Sequence, residues 1–272
     1  MFTITHSQTK ISLRYYVFQN TNKEKNMKKV MAILIVLCIS VSLFAIGSVK
    51  VGGAFNFVTG GTKDFVSKGE TLEKSAATYK SNGFGFDVSG SFDVGSQLAV
   101  WADFNMVFCS DAKLENDNEK LSLDDKYKGC EEAATEARKE GYVASAYKNI
   151  NIIHIGAGVA YKLPVQAVDV KVGGGLFYER GFGKVGMKYT YEDESGEDYL
   201  EIKANNFGLA FYADASYKFT ENISAGITLM PSIGLFNTTT LTMKVEETYT
   251  MKASGLKISF SMPVVIGVFY SF

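Results

Sequence analysis

The chain has 272 residues, with 28 basic and 29 acidic side chains and a formal net charge of −1. That balance, with no basic stripe carrying interleaved aromatics, argues against a nucleic-acid surface. There is no clustered Cys/His pattern, no glycine-rich phosphate loop after a strand and no GxSxG, so no metal, cofactor or acyl-transfer chemistry is expected.

In chain order, the first legible element is MKKVMAILIVLCISVSLFA, residues 27–45. Lys28 and Lys29 form a charged start, Val30 to Val41 an apolar run, and small residues follow, which is the layout of a secretory signal peptide cleaved after Ala45 or Gly47. The apolar run is short for a transmembrane helix, and no positive stop-transfer flank follows. Cys38 is preceded by Leu37, too large for the usual lipoprotein pattern. Residues 1–26 are then read as an upstream, mis-called start, with Met27 the true one. Segment 27–47 is the leader and 48–272 the working domain. Removing 1–47 takes six basic residues and one acidic residue, leaving 22 and 28, a net of −6.

From residue 48 onward apolar residues recur at every second place, which is strand periodicity. Eight such segments follow: 48–58, 83–94, 98–108, 153–163, 168–179, 207–219, 223–235 and 257–272. Each is long enough to cross a bilayer as a tilted strand. In the first, Val49, Val51, Phe55 and Phe57 oppose Lys50, Gly52, Ala54 and Asn56; in the fourth, Ile153, Ile155, Val159, Tyr161 and Leu163 oppose His154, Gly156, Gly158 and Lys162.

Volume decides which face is inside. Roughly forty large apolar side chains cannot fit within an eight-stranded barrel, whose interior is only just wide enough for side chains to fill. The face rich in Gly, Ala and Ser fits, so the apolar face points outward, to lipid. The connections alternate long (59–82, 109–152, 180–206, 236–256) and short (95–97, 164–167, 220–222), as outer loops and periplasmic turns do. The fold expected is all-β: an eight-stranded antiparallel up-and-down transmembrane β-barrel with four long outer loops and short periplasmic turns. Lipid demands that it close.

The second loop holds Cys109 and Cys130, the only cysteines beyond the leader, and in an oxidising compartment such a pair suggests a disulfide. CEEAATEARKEG (130–141) reads as a short helix, with Glu131 and Glu132 at its start, Arg138 and Lys139 at its end, and Gly141 as its stop. The third loop reads as a hairpin turning at Ser195-Gly196, and 240–252 reads as another. By parity Lys50, Asp87, Asp103, His154, Lys162, Asp169, Lys171, Glu179, Asp214, Lys218 and Lys257 face the lumen. Mixed buried charges must pair, which favours a salt-bridge network plugging the barrel; the many small inward residues leave room for a narrow cavity instead. Pro231 and Pro263, in adjacent strands, each remove a ladder donor. Two missing donors along one seam would weaken it into a lateral exit for apolar solutes; the alternative is two local bulges in a closed wall.

The chain ends VVIGVFYSF, with Val264, Ile266, Val268, Tyr270 and Phe272 on one face. A terminal aromatic after alternating apolar residues resembles the C-terminal signal of bacterial outer-membrane barrels. The whole domain resembles the small eight-stranded group of the OmpA barrel, OmpX and OmpW, OmpW being nearest in size and loop length. The resemblance implies a place in the bacterial outer membrane with both ends periplasmic, contact with its lipid, and assembly by the barrel machinery and periplasmic chaperones. It also implies a non-enzymatic protein, a narrow channel for small hydrophobic solutes. The second reading is a surface protein whose loops bind host or partner molecules above a plugged barrel. Catalysis is not expected, since His154 has no loop-borne partner.

Overall fold

The computed structural model describes residues 47–61, 66–67, 70–71, 78–115, 120–165, 167–192, 194–245, 248–255 and 258–272. Residues 1–46, which hold the expected leader apart from Gly47, and Lys257 lie outside the described residues. The elements are β1 (Gly47–Gly61), β2 (Val66–Ser67), β3 (Glu70–Thr71), β4 (Thr78–Asp93), β5 (Leu98–Glu115), β6 (Lys120–Ser122), α1 (Leu123–Lys139), β7 (Val143–Leu163), β8 (Val168–Tyr191), β9 (Glu194–Lys218), β10 (Ile223–Leu229), β11 (Ser232–Lys244), β12 (Thr248–Gly255) and β13 (Ser259–Ser271).

Eight strands form the wall: β1, β4, β5, β7, β8, β9, the interrupted strand β10–β11, and β13. The ring closes where β13 pairs antiparallel with β1 from Ser48↔Ser271 to Gly60↔Ser259. Both ends of the barrel chain therefore sit at the rim of the short turns. The last residues are held from both sides, because Tyr270 also faces Ile223, and Asn222 and Ser271 exchange backbone and side-chain bonds of 2.8 Å. The expected outward face is the observed one: Phe84, Leu176, Phe211, Ile266 and Val268 are more than half exposed, while Trp101, Lys50, Glu179 and His154 are fully or almost fully buried.

The wall continues well past the expected loop boundaries. β8 and β9 keep one register from Val168↔Tyr217 to Tyr191↔Glu194, so the chain reverses only beyond Tyr191, with Glu192 at φ 51°. Ser195 and Gly196, expected to turn, are paired in the ladder with Thr190 and Tyr189. A register already set by the barrel below leaves the turn no other place. The fourth loop is a hairpin as expected, β11 pairing β12 from Asn237↔Gly255 to Lys244↔Thr248.

Above the barrel the polarity of the two faces inverts. The inward side of the strand extensions carries Val107, Ile150, Ile152, Val185, Ile202 and Leu241, all buried. The outward side carries Arg180, Lys184, Lys203 and Asn205. Two bulges help to set this: an extra Ser110 in β5 opposite Asn82/Gly83, and an extra Leu235 in β11. Each shifts parity by one, turning Ala112 and Leu114, and Asn237 and Leu241, inward.

The helix starts seven residues earlier than expected, at Leu123. Ser122 caps it, its hydroxyl accepting from Asp125 N, and Asp124 and Asp125 occupy the first turn. Its end at Lys139, with Gly141 beyond at φ 95°, is as expected. Cys130 is therefore a mid-helix residue. Cys109, on β5, and Cys130 are both free thiols, so the expected disulfide is not formed. The two sulfurs belong to different surroundings, one on the wall and one on the helix two turns from its start.

The prolines do not share a seam. Against β13, Leu229↔Val264 and Ser232↔Ser261 belong to one register, and Met230 N donates to Pro263 O at 3.0 Å between them. Pro231 instead meets β9, its carbonyl accepting from Phe211 N at 2.9 Å. The two missing donors thus lie on opposite edges of β10–β11. The Ser232 hydroxyl donates to Met230 O at 2.9 Å, supplying the bond that Pro263 cannot give. Of the two readings, the closed wall fits and the lateral exit at Pro231 and Pro263 does not, because the ladder is continuous past both.

Candidate functional site: lumen, mouth and outer collar

Of the eleven charges expected in the lumen, seven are buried there: Lys50, Asp87, Asp103, His154, Lys171, Glu179 and Asp214. Lys162, Asp169 and Lys218 are instead the last inward positions of their strands and line a hollow of about 580 Å³ below the wall, near the short turns. Lys162 pairs there with Asp93, and Asp169 lies 3.6 Å from Lys171.

Two polar layers fill the barrel. In the layer nearer the turns, Lys50 donates to the Thr228 hydroxyl, which in turn donates to Asp214; the Lys50–Asp214 separation is 3.9 Å. Lys171 donates to Ser91 at 2.9 Å. Trp101 on β5 stacks on Tyr212 on β9 with ring centres 4.6 Å apart. These strands are three places apart in a ring of eight, so the stack bridges the lumen. In the second layer five strands converge on one carboxylate. Glu179 accepts from Asn206 (3.0 Å), Asn56 (3.1 Å) and Ser261 (2.5 Å), with His154 Nδ1 at 3.5 Å. His154 stacks on Phe177. Ser261 gives its proton to Glu179 and not to His154, and all three are sealed from solvent, so the trio has no nucleophile–base geometry open to a substrate.

The uncharged members of these layers (Asn56, Ser91, Trp101, Asn206, Thr228, Ser261) are absent from the charge-based expectation. Their inward parity was the available signal.

α1 packs into the mouth against β5, β7 and β8. Leu123, fully buried, sits in the space that a side chain at Gly183 would need, and Tyr79 likewise takes the space at Gly181. Asp111 holds the helix start, accepting from Ser122 Oγ at 3.1 Å and Asp124 N at 2.9 Å. Arg138 donates to Ala144 O at 2.7 Å and ties down the other end. Lys148, then Lys128, donate to Asp124 and hold its carboxyl below the usual carboxylate range. A carboxyl whose folded pKa is depressed stabilises above its unfolded value, about 3.9, and that contribution is lost as pH falls through the folded value. Pepsin cleavage within α1 is accordingly expected to be slow at about pH 4.5 and to quicken towards about pH 2. Cleavage that slows with acidification beyond pepsin's own profile on an unfolded control would contradict this.

On the outer face of β8 the rows from Val170 to Tyr178 pair with Leu163, Tyr161, Val159, Ala157 and Ile155 on one side and with Ala215, Ala213, Phe211, Leu209 and Phe207 on the other. The next outward row is Ile153, Arg180, Asn205, and the one after it Asn151, Phe182, Lys203. At their border the Tyr178 hydroxyl donates to Asn205 at 2.9 Å, and Asn205 donates to Thr238 at 3.1 Å.

No protein family's sequence profile matches this chain, and no curated protein does. Solved structures do. OprG of Pseudomonas aeruginosa, an outer membrane protein, is 12% identical over 84% of this chain and 97% of its own, with a TM-score of 0.47. A major outer membrane protein of Thermus thermophilus is 17% identical over 81% and 99%, TM-score 0.44. The outer membrane protease OmpT of Escherichia coli is 10% identical over 83% and 96%, TM-score 0.44.

Proposed function

We propose that this protein is an integral outer-membrane barrel with a closed lumen, acting through the structure above its wall and not by conduction or catalysis. The observation that carries this reading is how the small inward residues are used. They leave no bore, because Trp101 occupies the space beside Gly156, Tyr79 that beside Gly181 and Leu123 that beside Gly183. Five consecutive apolar outward rows support a setting in lipid. Val264, Ile266, Val268, Tyr270 and Phe272 all lie on that face, as a sorting signal read by the assembly machinery and chaperones requires. The tall β7–β8–β9 wall, the β11–β12 hairpin and α1 then form a surface for a host or partner molecule.

A second reading, the narrow channel for small hydrophobic solutes, draws on the apolar lining above Glu179. It requires Leu123 and Tyr79 to vacate that space.

The test is recording in planar bilayers together with fractionation. The protein is expected to be heat-modifiable on gels, to stay with the membrane without detergent, and to give no unitary conductance. Steady channel openings or uptake of an apolar solute into vesicles would replace the first reading with the second. Recovery in the soluble periplasmic fraction would overturn the membrane setting itself.

A further inference from the structure

We propose that the outer collar at Arg180 and Lys203 binds the phosphate groups of an anionic lipid headgroup in the outer leaflet. This rests on the membrane setting proposed above, and it goes further by naming a ligand and its site.

The argument begins with position. Arg180 is the first outward residue of β8 beyond Tyr178, the top of the five apolar rows. It is exposed, and no ion-pair partner of it is found among the described residues. One row on, Lys203 stands on the same outward face, across the β8–β9 pair from Phe182, and its ammonium lies 5.9 Å from the Phe182 ring centre. Arg180 and Lys203 are diagonal neighbours, about 7–8 Å apart at the backbone, within reach of one phosphate from two long side chains. Lys184 and Lys188 continue the same outward column.

Chemistry narrows the ligand. A guanidinium presents paired N–H donors that match a phosphate, and a lysine adds a point charge beside it. The acids on this face are already engaged: Glu201 with Lys203 at 2.5 Å, and Glu197 with Lys184 at 3.1 Å and Tyr147 at 2.7 Å. Two acids against four bases leave the column positive on a domain whose net charge is −6. The β4–β5 side of the barrel has a smaller surplus, three bases against two acids, since Lys80 and Lys120 share Glu115 and Lys113 pairs with Asp111. Next to the collar, Tyr178, Asn205 and Thr238 satisfy one another. They form a fixed polar shelf at the height where headgroups begin.

The experiment uses the full mature chain in detergent and in vesicles, titrated by native mass spectrometry with bisphosphorylated lipid A and with the same lipid stripped of both phosphates. The phosphorylated form is expected to be retained about tenfold more strongly, the order of losing a charge-assisted hydrogen bond. Arg180→Gln/Lys203→Gln should remove that preference, while Lys80→Gln/Lys113→Gln should keep it. Equal retention of the two lipids by the unaltered protein overturns the site, as does an unchanged preference in the Arg180/Lys203 variant that still migrates as a folded barrel. Failure of the unaltered chain to enter vesicles would overturn this site and the membrane setting together; entry without phosphate preference would overturn the site alone.

Discussion

Replacing Lys50 by Met is expected to destabilise the barrel by about 3–5 kcal/mol, the cost of removing one partner from a buried ionic group. Lys50 is 2% exposed, bonded to Thr228 and facing Asp214, with the carboxylates of Asp87 and Asp103 buried in the same lumen. Met keeps the length of the side chain but removes the cation within 3.9 Å of Asp214, leaving Lys171 as the other buried cation of the layer. The measurement is the urea midpoint of the barrel refolded into vesicles, read by heat-modifiable migration. A double variant, Lys50→Met/Asp214→Leu, should lose less than the single one, because an apolar pair replaces a broken ionic one. A single variant within the error of the parent would mean that the lumen charges are not coupled as described.

Truncating Leu123 to Ala is expected to release α1 from the mouth and spare the wall. Large-to-small changes at fully buried leucines cost about 2–5 kcal/mol, and here the loss falls on one docking contact and not on the ring. Amide hydrogen exchange in α1 should quicken by at least about tenfold, since about 1.4 kcal/mol is a factor of ten. Exchange in β8 and β9 should hold. Gly183→Val, which fills the same space from the other side, should act alike. Slow exchange surviving in both variants would show that the helix is held by Asp111 and Arg138 alone.

How far this molecule is legible in its sequence depends on height along the wall. In the lower half each strand alternates apolar outward and polar or small inward, and all eight are readable from that. Past Tyr178 the rule inverts. On β7 and β9 the inward positions become Ile152, Ile150, Ile202 and Leu200, while outward ones become Asn151 and Lys203. A reading that takes apolar residues as the lipid face stops there, although the ladder runs on to Tyr191. The helix start is signalled by Ser122 and Asp125 three residues on, a capping pattern, but Gly129 in mid-helix argues for a later beginning. Ser195 and Gly196 do not turn, because local turn preference loses to a register imposed from below. In the lumen, charge points to Lys50, Glu179 and Asp214, while their neutral partners Asn56, Thr228 and Ser261 carry no such mark. The two thiols are free, Cys109 on β5 and Cys130 in mid-helix, with an added strand segment and half a helix between them along the chain, which spacing alone does not reveal.

In the membrane setting proposed above, the inversion of the two faces also acts as a waterline. The ten residue steps from Val168 to Tyr178, at about 3.3 Å each and tilted by about 40°, span about 25 Å of hydrocarbon. Sinking the barrel by one row would draw Arg180 and Lys203 towards the acyl chains; lifting it by one would wet the lowest apolar row. Draught is therefore fixed by the chain, and a thicker membrane must thin around it, with a mismatch cost of a fraction of a kcal/mol for each ångström. Such a hull would gather with its own kind, or drift to thin patches, wherever the surrounding bilayer is too deep for it.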